Sequence, residues 1–112
     1  MPRDAAALED MLAHAREAVA LVHGKSRADL DRDRVLNLAL VRLLEIVGEA
    51  ASRVSAAERA RHGAIPWTEI VSLRNRLIHG YASVDMDIVW EILRRDVPAL
   101  IATLEQIVPR RP

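Results

Sequence analysis

The chain has 112 residues, 51% of them apolar but only 3% aromatic, and its 16 basic and 16 acidic side chains sum to a formal net charge of zero. That length suits a single domain, residues 1–112, with one core that needs no staple, and the shortage of aromatics favours helix packing over a sheet sandwich. The lack of cysteine excludes disulfides, thiolate nucleophiles and cysteine zinc sites, and zero net charge excludes a general electrostatic grip on long nucleic acid, so any such contact must be local.

The first segment, "MPRDAAALEDML", mixes acids with apolar residues and lacks the continuous apolar run of a signal peptide. With no later run of spanning length, the expectation is a soluble, cytoplasmic protein. From Asp4, read as an N-cap, the residues Leu8, Met11, Leu12, Ala15, Val19 and Val22 recur at helical spacing until His23-Gly24. The polar "KSRADLDRDR" reads as a connector, with Asp31 or Asp33 starting the next helix.

"VLNLALVRLLEIVGEAASRVS" is apolar nearly all round, so this central helix is expected to be buried over most of its surface. Its polar residues Arg34, Asn37, Arg42, Glu45 and Glu49 gather in one stripe. A bundle this small does not easily surround one helix, which predicts a homodimer as the second source of burial. "SAAERARHGAIP" gives a short turn and a loop; Pro66 at the first helical position then opens a third helix that runs to about His79, with Gly80 ending it. Asp85 caps a last long helix to Ile107, which Pro98 should kink or split. The predicted fold is all-α, an antiparallel up-and-down bundle of about four main helices.

Chemistry concentrates in "RNRLIHGY", Arg74 to Tyr81. At about 100° per residue, Ile70, Leu73 and Leu77 fall on an inner face, while Thr68, Ser72, Asn75 and His79 form a polar stripe with Arg74 and Arg76 to either side. Such a stripe suits a phosphodiester. Histidine titrates in the range needed for proton transfer, and arginine offers a charged planar fork to phosphate oxygens. Asparagine can orient either. One helix supplies a single imidazole, however, so acid and base on opposite sides of a phosphate would require a second His79 from a two-fold partner. Arg76 reads as a solvated charge. His14, His23 and His62 have no metal-ligand spacing and receive no role, and no metal or other cofactor is predicted. Trp67 and Trp90 read as core or interface anchors, and Glu45 and Glu49 as ion-pair partners.

The chain resembles the HepT-like toxins of the HEPN superfamily, whose hallmark is an arginine, four to six residues and a histidine, often followed by x-Tyr. Here this reads Arg74, four residues, His79, Gly80, Tyr81. "RLLEIVGEA", "IPWTEIVSLRNRLIHGY" and "DIVWEILRRDVPAL" resemble the family's recurrent segments in order, from about Val35 onward. The resemblance implies a dimerising helical bundle acting as a metal-independent endoribonuclease on RNA, tRNA or mRNA, in a type VII toxin–antitoxin pair. It further implies Arg74 and His79 as catalytic residues and Asn75 in support. The partner would be a MntA-like minimal nucleotidyltransferase antitoxin that transfers AMP to Tyr81. The alternative function is a non-catalytic module that binds nucleotide or recruits the nucleotidyltransferase subunit.

Overall fold

The computed structural model describes residues 2–80 and 84–108, and among these the regular structure is helical throughout. In chain order the elements are α1 (Pro2–Val22), α2 (Arg27–Arg32), α3 (Arg34–Ser52), α4 (Ala56–Arg61), α5 (Trp67–Gly80), α6 (Met86–Glu91), a π turn (Ile92–Asp96) and α7 (Val97–Ile107). The four main rods are α1, α3, α5 and the composite α6–α7, as the apolar periodicity predicts.

Local chemistry sets most of the boundaries. Gly24, at φ 74°, takes the left-handed conformation that follows α1. Asp33 caps α3 by accepting from the Leu36 N–H at 3.0 Å, and Asp85 caps α6 by accepting from the Asp87 N–H at 2.9 Å. Pro66 stands one position earlier than its expected place. Its carbonyl accepts the first bond of α5 from the Ile70 N–H at 3.0 Å, so it is the cap and Trp67 the first helical residue.

Two other expectations are corrected. Asp4 does not cap α1, which already begins at Pro2. Its buried carboxylate instead accepts from the backbone N–H and the hydroxyl of Ser55, both at 2.8 Å, and so ties α1 to the turn between α3 and α4. The supposed connector contains α2, a helix too short for periodicity to reveal. Its Asp29 carboxylate accepts from the Ser26 N–H at 2.7 Å, and Leu30 plugs it into the core. Pro98 interrupts the last rod as expected: it stands in the first turn of α7, and a π turn just before it separates α6 from α7. The turn before it widens, with the Val97 N–H bonded five residues back to the Ile92 carbonyl. That π turn makes room where a proline ring would meet the carbonyl four residues before it.

The core runs along the middle of the bundle, with Met11, Leu40, Leu77, Leu93 and Leu104 fully buried. In space α1 packs on α3 and on α7, and α3 packs in turn on α5. Within one chain the central helix is covered on one face only. Leu36, Leu40, Leu43, Leu44 and Val47 are buried on one face, but Val35 is 78% and Leu38 45% exposed on the other. A single layer of helices covers one side of α3 and leaves a mixed apolar and polar face open. Beyond α5, the Arg27–Asp87 salt bridge (2.6 Å) links the start of α6 to α2, and Asp31 pairs with the same guanidinium from within α2 (3.1 Å). Among the described residues no helix is long and apolar enough to cross a membrane.

Candidate functional site

Trp67 sets the base of α5. Its ring is 8% exposed, its Nε1 donates to the carbonyls of Arg59 and His62 at 3.1 Å each, and the Arg59 guanidinium lies 5.9 Å from its centroid. Leu77 is fully buried two to three turns later, which fixes the rotation of the helix. With that rotation set, the positions of Arg74, Asn75, Arg76 and His79 follow.

Arg74 lies on the side of α5 that faces α3, and Gly48 makes its place. A β-carbon at Gly48 would sit 3.0 Å from Arg74 Cγ and 3.1 Å from the Ile70 carbonyl oxygen, and would overlap Arg74 Cβ outright. The two helices are therefore in backbone-to-side-chain contact at this level, and the stem of Arg74 is clamped between them. Its Nη1 donates to Asn75 Oδ1 at 2.9 Å. Its Nε is buried and has no hydrogen-bond partner among the described residues. A buried guanidinium N–H without an acceptor is costly.

His79 is exposed and lies on a different side. Five residues separate it from Arg74, a rotation of about 140° on a helix. It lines an open groove of about 570 Å³ together with Asn75, Arg76, Val84, Asp85 and Ile88, and Arg74 is not part of that lining. Asp85, which caps α6, also lines this groove. Asn75 connects the two halves: it takes the hydrogen bond from Arg74 and lines the groove with His79. Within one chain, then, the arginine and the histidine sit in adjoining but separate environments. Tyr81 lies outside the described residues.

The remaining polar residues mostly have structural explanations. Glu45 pairs with Arg42 at 3.2 Å, as expected of the central helix. His62 lies 3.5 Å from Glu58, and His14 Nδ1 is 2.7 Å from the Asp10 carbonyl oxygen. No group of three or more histidines, aspartates or glutamates that could hold a metal ion occurs among the described residues. Sequence reasoning missed Gly48. Its signal was present, since a glycine inside an otherwise strong helix costs about 1 kcal/mol relative to alanine and so marks a close approach.

A helical bundle with an Arg-x4-His helix on its flank defines the class, and comparison with known proteins places the chain within it. Residues 8–107 match the family described as ribonuclease HepT-like. The chain belongs to that HepT-like family of the HEPN superfamily. It is 36% identical over 103 residues to a protein of Caldanaerobacter subterraneus subsp. tengcongensis that bears a provisional RNase name, covering 92% of each chain. It is 32% identical over 103 residues to the probable ribonuclease HepT of Thermococcus cleftensis, covering 88% of this chain and 94% of that one. A Methanocaldococcus jannaschii protein, also provisionally named an RNase, is 33% identical over 98 residues, which cover 88% of this chain and 90% of the relative. No solved structure matches the chain significantly.

Proposed function

We propose that this protein is a cytoplasmic endoribonuclease toxin that cleaves RNA without a metal ion, using Arg74 and His79 at the interface of a homodimer. The observation that carries the reading is the seat of Arg74: a guanidinium clamped against Gly48, with its Nε unpartnered and Asn75 linking it to the His79 groove. The family and the RNase names of the relatives support RNA as the substrate.

In the proposed reaction one His79 removes the proton from the 2′-hydroxyl, and that oxygen attacks the adjacent phosphorus. The bond to the 5′-oxygen breaks, and the His79 of the second copy protonates the leaving oxygen. Arg74 stabilises the charge on the pentacoordinate phosphorus, and Asn75 orients it. The products are a 2′,3′-cyclic phosphate and a 5′-hydroxyl end.

A second copy is required because one α5 carries one imidazole and turns it about 140° away from its own Arg74. The open face of α3, with Val35 and Leu38 exposed, and the neighbouring Ile78 of α5, 39% exposed, offer apolar area for a two-fold contact beside Arg74. Neutralisation follows the same chemistry. A MntA-like nucleotidyltransferase antitoxin would transfer AMP from ATP to the hydroxyl of Tyr81, two residues beyond His79 in the sequence, with release of pyrophosphate; the added negative phosphodiester and bulky nucleoside would compete with the substrate phosphate for the same cations.

The test is cleavage of single-stranded RNA by the purified protein in the presence of a chelator. Cyclic phosphate ends are expected, and a substrate with 2′-deoxyribose at the cut site should survive. Equal cleavage of the deoxy substrate, or loss of cleavage on chelation, would refute the mechanism. Expression alone should arrest growth, and co-expression with the nucleotidyltransferase should relieve it and add the mass of AMP to the peptide carrying Tyr81.

A further inference from the structure

Helix α5 packs chiefly on α3, and α7 packs on α1. Between α5 and the α6–α7 rod this leaves a second groove of about 550 Å³, walled by Ile70, Leu73, Ile92 and Leu100. It is not isolated from the first. Leu73, Arg76 and Ile88 line both, so the two grooves share one wall.

Arg76 stands on that shared wall. Its side chain is exposed, and it has neither an ion pair nor a hydrogen bond among the described residues. The other arginine of the second groove, Arg95, lies 3.4 Å from Asp96. Glu69, an acid on the same groove, is seven residues before Arg76, about 10 Å away along the helix axis. Arg76 therefore favours an anion beside it, where the two grooves join, and Glu69 disfavours one at the far end of the second groove. The interior between them is apolar and of a size that holds a small ligand, within the range of roughly 300–1,000 Å³.

We infer that this groove is a nucleotide subsite, in which an unpaired base next to the cleaved linkage lies against Leu73, Ile88 and Ile92 while Arg76 holds its phosphate. The inference rests on the ribonuclease reading for its ligand and deepens it: a base can enter the groove only if it is unstacked, which selects single-stranded RNA over duplex. Arg76 acts here as a binding residue and not in the chemical step.

Two variants test it on the full-length protein. Arg76→Ala removes the phosphate contact, and Ala99→Trp fills the groove from an exposed position on α7. The first readout is fluorescence anisotropy with a short single-stranded RNA made uncleavable by 2′-deoxy substitution. Each variant should weaken binding by about tenfold, the worth of burying one base face against aliphatic side chains or of one charge contact, and Arg76→Lys should recover most of the loss in Arg76→Ala. Replacing the base beside the cut by an abasic residue should weaken binding to the unaltered protein equally, and add little to the loss in Ala99→Trp. The second readout is cleavage, where KM should rise and kcat stay within about twofold. Unchanged affinity in both variants overturns the subsite even if the protein cleaves RNA well. Weakened affinity in a protein that cleaves nothing supports the subsite and instead removes the ribonuclease reading.

Discussion

The two sides of α5 are built in opposite ways. On the α3 side the helix is pressed against Gly48 so tightly that no β-carbon fits, and Arg74 is held with its Nε buried. On the α6 side the helix faces an open groove, and His79 stands exposed in it. In the proposed reaction the charge-stabilising group is the one positioned by packing, which avoids reorganisation when charge develops on the substrate. The group proposed to gain and lose a proton is the one in contact with solvent. Asn75 bridges them: it accepts a hydrogen bond from Arg74 and lines the groove with His79.

Breaking the two sides separately gives the largest expected effects. His79→Ala and Arg74→Ala should each lower the cleavage rate by about 10²-fold or more while the helical circular dichroism stays that of the unaltered protein. Arg74→Lys should not restore the rate, because an ammonium group cannot reproduce the planar fork. Asn75→Ala, which removes only the link, should cost less than either. A loss in Asn75→Ala as large as in Arg74→Ala would show that the link itself takes part in the chemical step.

Gly48→Ala sharpens the comparison from the packed side. The added carbon forces α3 and α5 apart, so a loss of about 1–3 kcal/mol in unfolding free energy is expected, with cleavage reduced in the protein that remains folded. Gly63, where a β-carbon meets nothing within 4 Å, provides the control: Gly63→Ala should leave both stability and cleavage unchanged. Equal tolerance at the two glycines would contradict the clamp.

The smallest effect lies away from α5. The Ser55 N–H and hydroxyl hold the Asp4 carboxyl below its ordinary range. Because the folded value is depressed, the stability from this contact is present above the unfolded value of about 3.9 and is lost as pH falls through the folded one. Asp4→Asn should lower the melting temperature at neutral pH, and the gap from the unaltered protein should close in acid. Cleavage should not change in rate.

How much of this was legible in the sequence follows from the range of each signal. The four long rods, the caps at Asp33 and Asp85 and the burial of Leu77 come from periodicity and near-neighbour chemistry, and they stand in the structure. Helix α2 was hidden because six residues with one buried leucine carry no period. The role of Asp4 was hidden because its partner is 51 residues away. At the site, the residue types were readable in "RNRLIHGY", but the separation of Arg74 from the His79 groove was not. It depends on which face of α5 meets α3, and Gly48, on another helix, decides that.

The central claim is that two copies of His79 serve one phosphate, and subunit mixing tests it most directly. Unaltered and His79→Ala chains carrying different tags are co-expressed in equal amounts, allowed to pair at random, and assayed on single-stranded RNA. If both imidazoles are needed, only dimers of two unaltered chains cleave, and the activity per total protein falls to about one quarter. A fall to only about one half, with purified mixed dimers retaining half the activity, would mean that each chain works alone, and would contradict the account.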